Sequence, residues 1–452
     1  MTDARPHAIP PGEEQGHQPP AQRSIGRVVF ASLIGTTVEW YDFFLYGSAA
    51  ALVFGPLFFP ENDPATGVLL AFGTYAVGFV ARPVGGLVYG HFGDRIGRKK
   101  MLVTSLLLMG AATVAIGLIP GYATIGIAAP ILLIVCRLLQ GFAVGGEWGG
   151  AVLMAAEHSD PRRRGFWASW PQAGVPLGNL TAAAVLWLMA VVLNDQQFIQ
   201  WGWRIPFLLS AALVFIGLWV RLNISESPVF TELQQDKQNH PRIPALQVIK
   251  QHPKELLLAM GMRFAENIGY YVFSVVVLTY LVNYLDAPRS LALTGVFLGS
   301  TVQFLLTPLI GALSDRVGRR LLYLIGAAGT GIWGGLIFFP LVDTENQVVI
   351  TLAIVVGLMF TQLMYAPQAA FYSELFSTEV RYSGVSMASQ IASVFAGGMA
   401  PLISVALLGT VDERNTTALG AYVIAAAVLT FTCAWFARET SGSSLHQDRK
   451  AA

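Results

Sequence analysis

About twelve stretches of about twenty or more mostly apolar residues run through this 452-residue chain, most of them separated by short loops. They lie near 26–51, 66–90, 101–119, 124–149, 165–192, 203–222, 255–283, 290–312, 320–340, 348–371, 383–409 and 417–437. A helix of about 20 apolar residues crosses a bilayer, and hydrocarbon tolerates only backbone whose polar groups are satisfied within the segment. The expected fold is therefore an all-α integral membrane protein of about twelve transmembrane helices. Composition agrees: 54% of residues are hydrophobic and 12% charged, against roughly 25% charged in a soluble domain. Cys136 and Cys433 both fall in apolar stretches, so no disulfide framework is implied. No basic patch stands outside the short loops, which argues against nucleic acid as a partner.

The loops alternate in charge. Those at 59–65, 120–122 and 340–346 hold no Lys or Arg, whereas the intervening ones carry Arg95, Arg98, Lys99 and Lys100, then Arg162 to Arg164, then Lys237, Arg242 and Lys250, then Arg316, Arg319 and Arg320. Positive charge collects in the cytoplasm, so both termini are expected there. Arg289 and Arg414 break the pattern, each beside an acid, Asp286 or Asp412. The turn Gly90-His-Phe-Gly-Asp-Arg-Ile-Gly-Arg-Lys99 recurs in outline as Gly311-Ala-Leu-Ser-Asp-Arg-Val-Gly-Arg-Arg320, 221 positions later (90 to 311). That reads as a duplicated bundle: a polar tail over 1–25, six helices over 26–222, a cytoplasmic linker over 223–254, six helices over 255–437, and a short tail over 438–452. Internal repeats of this kind mark secondary transporters. Glycines four apart, Gly141/Gly145/Gly149 and Gly174/Gly178 among them, suit close helix packing.

Ionisable groups inside spans are expensive and functional by default. Glu39 and Asp42 share a face of the first helix, with Tyr46 continuing it. Glu39 lies about 16 Å in from the cytoplasmic end at 1.5 Å per residue, so either carboxylate can serve as a proton carrier. Arg137 and Gln140 lie in the fourth helix, Arg137 about 15 Å from the outer side. A cation there needs a partner, either a first-helix carboxylate or the carboxylate of a substrate. Arg263, Glu266, Asn267 and Tyr270 form one polar stripe on the seventh helix, read as the opposite wall of a central cavity, with Glu266 a third candidate proton carrier. Gln303, Gln362, Tyr365, Gln368 and Gln390 add polar candidates. Arg82, about two turns before the cytoplasmic end of its expected helix, can snorkel to the interface. Pro171 and Pro176 favour a pliable fifth helix.

Together these residues resemble the major facilitator superfamily over about 26–437. Gly90–Lys99 and Gly311–Arg320 match its signature loops, and Arg137-x-x-Gln140-Gly141 its fourth-helix motif. Val38-Glu-Trp-Tyr-Asp-Phe-Phe-Leu-Tyr-Gly47, Gly145-Gly-Glu-Trp-Gly149 and Trp201-Gly-Trp-Arg-Ile-Pro-Phe207 look like the metabolite:proton symporter family, whose members carry shikimate, 2-oxoglutarate, citrate and proline/betaine. The resemblance implies a monomeric, multi-pass transporter of the bacterial plasma membrane that takes up a small carboxylate or a zwitterionic osmolyte with protons; the alternative is a proton-driven antiporter exporting a drug or metabolite. It implies no catalysis, no metal and no cofactor beyond the proton as coupling ion. Tyr46, Arg137, Gln140, Arg263, Asn267, Tyr270, Gln362 and Tyr365 would line the substrate site. It also implies two cytoplasmic latches, Asp94, Arg95 and Arg98 with Glu157 in the first half, and Asp315, Arg316 and Arg319 with Glu374 or Glu379 in the second.

Overall fold

The computed structural model describes residues 25–96, 98–145, 155–156, 159–222, 244–377 and 380–443. Twelve long helices account for nearly all of them, and the described residues contain no strand. In chain order these are α1 (25–58), α2 (Pro64–Ile96), α3 (Arg98–Leu118), α4 (Ala128–Val144), α5 (Arg164–Val192), α6 (Arg204–Leu222), α7 (253–284), α8 (Arg289–Val317), α9 (319–342), α10 (Gln347–Leu375), α11 (381–408) and α12 (Thr416–Phe436). Among the described residues nine are long and apolar enough to span a membrane. A tenth span joins Asp195–Gly202 to α6 across a 45° bend, and α3 and α4 contribute shorter apolar segments. This is the all-α, twelve-helix architecture expected.

Several helices carry a π-turn: Ala50–Phe54 in α1, Val272–Val276 and Tyr280–Tyr284 in α7, Trp333–Ile337 in α9 and Val394–Gly398 in α11. Such turns displace one backbone bond and re-aim the side chains around them. The π-turn lets α1 run on to Phe58, seven residues past the expected 51. Similarly α2 runs six residues past the expected 90, to Ile96, which places Arg82 deeper than its sequence position suggested. The last third of the expected linker is also helical, as Pro244–Gln251, and a break at His252 separates it from α7.

Packing follows the small residues. A Cβ on Gly141 would overlap the Gly78 carbonyl, so α2 and α4 touch backbone to backbone. Where lipid is as apolar as leucine, close van der Waals contact of this kind supplies the association. Between the halves the principal seams are α5 on α8 and α2 on α11. At the α5–α8 seam a Cβ on Gly165 would meet the Gly311 carbonyl, and one on Gly311 the Gly165 carbonyl. The halves therefore meet in backbone contact at the level of the second repeated turn.

Candidate functional site

The middle of the bundle holds charge that lipid excludes. On α4, Arg137 is fully buried. Its guanidinium lies 4.0, 4.4 and 4.5 Å from the ring centres of Phe43, Tyr46 and Tyr75. It donates to the Tyr75 carbonyl (3.4 Å) and to Gln140 Oε1 (3.0 Å), and Gln140 Nε2 donates to Thr113 Oγ1 (2.7 Å). Asp42 Oδ1 accepts from Ser210 Oγ at 2.6 Å, and Arg137 lies within electrostatic reach. Asp42 Oδ2 and Arg137 Nη2 make no well-aligned hydrogen bond, although the Thr113 hydroxyl stands close to the Asp42 carboxylate. Expected neighbours thus converge: Asp42, Tyr46, Arg137 and Gln140 form one cluster, with Thr113 and Ser210 added by α3 and α6. Tyr46 closes it, its hydroxyl 2.5 Å from Thr74 Oγ1. Glu39, one turn from Asp42, is buried and within electrostatic reach of Arg82.

The α7 stripe faces inward as its periodicity required, with all four residues buried. Arg263 Nη1 donates to Gln368 Oε1, lies 3.9 Å from Glu266 Oε2, and its Nη2 donates to Ser393 Oγ at 3.3 Å. Asn267 Nδ2 (3.0 Å) and Gln368 Nε2 (3.4 Å) also donate to Glu266 Oε2, and Gln368 Nε2 donates to the Tyr323 hydroxyl (2.8 Å). Arg263 and Glu266 therefore belong to a closed network inside the second half. Tyr270 reaches across the seam instead, its ring 5.2 Å from Phe44 of α1. Tyr365 also lies at the seam, its carbonyl accepting from Gln172 Nε2 of α5 at 3.2 Å. Gln362 donates to Thr307 Oγ1 at 2.6 Å and joins α10 to α8 within the second half, apart from the central cluster.

The expected snorkelling of Arg82 does not occur. Arg82 is 4% exposed, with its guanidinium 4.0 Å from the Phe43 ring centre, 4.1 Å from Phe79 and 5.5 Å from Trp40. Fourteen residues of helix separate it from Ile96, about 21 Å, too far for its side chain to reach the interface. Tyr75, Phe79 and Arg82 fall at i, i+4 and i+7 of α2. That one-face spacing was the available signal for an inward stripe, and it passed unread.

At the second repeated turn the latch is assembled. Asp315 accepts from the backbone N–H groups of Gly165 (2.8 Å) and Phe166 (3.0 Å), capping α5 from the opposite half. Arg319 Nη2 is 2.7 Å from Asp315 and 3.4 Å from Glu374. Arg164 of α5 donates to Glu374 at 2.8 Å. Glu374 is thus the partner the turn required, whereas Glu379 lies outside the described residues. Arg316 is exposed on the far side of the turn. Gly318 adopts φ +97°, a conformation side chains with a Cβ rarely take, which accounts for glycine in the turn. Residues past α12 enter the same cluster: Glu439 accepts from the backbone of Arg319 and Arg320 (3.0 Å each), and Thr440 Oγ1 donates to Glu374 at 2.7 Å. Nothing in the sequence marked Arg164 or Glu439 for this role. In the first half Glu157 and part of the Gly145–Gly149 motif lie outside the described residues, as do the side chains of Asp94, Arg95 and Arg98.

A twelve-helix bundle with buried charge at its centre and a buried ionic cluster joining its halves has the architecture of a membrane transporter. The profile of the Major Facilitator Superfamily matches residues 33–401 and 259–451, and the chain belongs to that superfamily. It is 40% identical to the inner membrane metabolite transport protein YhjE of Escherichia coli K12, over 96% of this chain and 98% of that one. It is 39% identical to the shikimate transporter of the same organism (89% and 92% of the two chains), and 33% to the proline/betaine transporter of Salmonella typhimurium (88% and 81%). The fold is that of the partially occluded, inward-open xylose transporter XylE from E. coli, with TM-score 0.71, 19% identity, and 93% and 99% of the two chains covered. These relatives are metabolite, shikimate and proline/betaine carriers, in accord with the symporter family the sequence resembles. The protein is a secondary transporter and a multi-pass bacterial membrane protein, and its relatives are named as transport proteins rather than enzymes.

Proposed function

We propose that this protein imports a small organic metabolite, a carboxylate or a zwitterion, by proton-coupled symport. Its halves, residues 26–222 and 255–437, would alternate access to a central site from either side of the plasma membrane, in a monomer with both termini in the cytoplasm. The observation that carries the reading is the proximity of Asp42 and Arg137, which stand within electrostatic reach of each other with no direct ion pair between them. Each presents one polar atom without a well-aligned hydrogen bond, Oδ2 and Nη2, in a buried cluster beside the seam between the halves. A buried carboxylate with such an oxygen accommodates a proton. Once that proton leaves, the carboxylate needs a cation, and Arg137 stands within reach. When the proton returns, Arg137 is released for an anionic group of the substrate. Glu266 fits this role less well, because Asn267 and Gln368 already donate to it and Arg263 stands beside it. It serves better as a fixed part of the opposite wall.

The test compares wild type, Asp42→Asn and Glu39→Gln in proteoliposomes offered shikimate, proline and glycine betaine. Gradient-driven uptake and gradient-free counterflow are both measured. Loss of gradient-driven uptake with retained counterflow in Asp42→Asn supports the assignment. Undiminished gradient-driven uptake in both variants overturns it, and solute efflux driven by inward proton flow establishes antiport instead.

A further inference from the structure

Arg82 is the most exacting residue in the molecule that the proton relay does not use. Its guanidinium is buried against Phe43, Phe79 and Trp40, and Phe79 in turn contacts Gly397 and Gly398 of α11, so Arg82 sits at the seam between the halves. The charged and titratable groups facing it are Glu39 on α1, Tyr75 on its own helix, Tyr271 on α7 and Arg137 on α4. Neither Nε nor Nη2 of Arg82 has a hydrogen-bond partner. The same is true of Arg137 Nη2 and Trp40 Nε1, while the hydroxyls of Tyr75 and Tyr271 stand close to each other and that of Tyr270 close to Asn179, none of them in a well-aligned hydrogen bond. Buried donors are nearly always paired in native proteins; others without a partner are scattered through the molecule, Trp170 Nε1, Trp203 Nε1 and Arg263 Nε among them, but here donors of two guanidiniums and an indole lie together. Two guanidiniums also share the Phe43 ring, each 4.0 Å from its centre, so like charges are held close in a medium of low dielectric. A bound anion relieves both deficits at once.

We propose that Arg82 is the residue that selects the substrate: together with Arg137 it receives the carboxylate of a small hydroxylated organic acid, while the Tyr75, Tyr270 and Tyr271 hydroxyls and Trp40 Nε1 take up the substrate's hydroxyl groups. This rests on the transporter reading above and narrows its substrate class. A guanidinium presents paired donors that match a carboxylate. In this conformation the neighbouring rings pack on one another across the seam, Phe44 on Tyr270 (ring centres 5.2 Å apart) and Tyr75 edge-on to Tyr271 (5.9 Å), so a substrate would enter as the halves part and would then meet apolar ring surface. A quaternary ammonium such as glycine betaine is disfavoured here. It binds best on aromatic faces, yet those of Phe43, Phe79, Tyr46 and Tyr75 already carry guanidiniums, which would repel it.

The experiment measures ligand-induced thermal stabilisation and counterflow for wild type, Arg82→Lys and Arg82→Gln, with shikimate, shikimate methyl ester and glycine betaine as probes. Wild type is expected to be stabilised by shikimate and not by the ester or betaine. Charged hydrogen bonds of this kind set affinity losses of about 10- to 100-fold, expected for shikimate in Arg82→Gln, with Arg82→Lys between. Arg82→Gln should bind acid and ester within a few-fold of each other, a convergence that misfolding does not produce. Stabilisation of wild type by betaine, or an Arg82→Gln variant that keeps its preference for acid over ester, overturns the proposal. Gradient-driven transport of some solute by wild type, undiminished in Arg82→Gln, removes the Arg82 assignment and leaves the transporter reading standing. A wild type that moves none of the solutes removes both.

Discussion

Replacing Arg164 with glutamine cuts a buried ionic link between the halves while leaving the rest of the cytoplasmic latch in place. Arg164 is 2% exposed and donates from Nη1 to Glu374 Oε1 at 2.8 Å and to the Ser443 carbonyl at 2.9 Å. Both partners belong to the second half or the segment following it, so these bonds exist only while the cytoplasmic side is closed. In the variant Glu374 keeps Arg319 at 3.4 Å and Thr440 at 2.7 Å. The full penalty of about 3–5 kcal/mol for stranding a buried charge therefore does not apply. What is lost is the charge-assisted bond to Glu374, about 1.5–3 kcal/mol, with the bond to the Ser443 carbonyl from the same Nη1 lost alongside it, and both are lost from the cytoplasm-closed state alone. At 1.4 kcal/mol per decade, the ratio of cytoplasm-open to cytoplasm-closed protein should rise about 10- to 100-fold. Spin labels at two exposed positions, Arg162 of the first half and Lys250 of the linker helix Pro244–Gln251, which packs on α11 of the second half, report that ratio as a distance distribution in a background lacking Cys136 and Cys433. Arg316→Gln is the control, because Arg316 is exposed and outside the latch. An unchanged distribution in Arg164→Gln, or an equal change in Arg316→Gln, refutes the latch as drawn.

Other outcomes follow from the packing. Gly141→Ala should lower the thermal unfolding midpoint, since its Cβ meets the Gly78 carbonyl and overpacking costs about 1–3 kcal/mol. Gly73→Ala, with nothing within 4 Å of the added methyl, should leave it unchanged. Gly318→Ala forces a Cβ into φ +97° against the Glu439 carboxylate, and strain of order 1–3 kcal/mol should open the cytoplasmic side in the same spin-label assay. Glu439→Gln, which weakens the acceptor for two backbone N–H groups of α9, should act in the same direction with smaller effect.

The spans, the duplication and the inward stripes of α1, α4 and α7 were legible because each is a local pattern, set by hydropathy or by i, i+3, i+4 spacing. Asp315 and Arg319 were legible for a related reason: Asp and Gly at fixed places in a turn exceed what topology alone demands. Arg82 was misread because the apolar run seemed to end at 90, although the helix continues through the charged turn to Ile96. Arg164 escaped because a basic cytoplasmic loop already had a sufficient explanation in positive-inside placement. Glu439 and Thr440 escaped because a short polar tail carries no periodicity, and its contacts come from folding back onto the start of α9. For Arg164, Glu439 and Thr440 the deciding contact joins segments distant in sequence.

The outer side carries a weaker counterpart to the latch, and the difference bears on the direction of transport. Arg289, anomalous in the sequence as a cation on the outer side, pairs with Asp195 across the halves rather than with its neighbour Asp286. Asp195 is 85% exposed, so the pair is worth about 0–1 kcal/mol and is screened by salt. The inner link is buried at both ends and is not screened in this way. Without substrate, the halves should therefore part more readily on the outer side, which is the resting state an importer needs. Arg289→Gln should raise the outward-open population at most about fivefold, and the effect should vanish in about 1 M salt, where the Debye length is near 3 Å. Labels at exposed outer positions, Asn194 and Val411, would report it. A shift as large as that of Arg164→Gln, or one insensitive to salt, would mean that the outer pair is a true lock and that the asymmetry does not set the resting state.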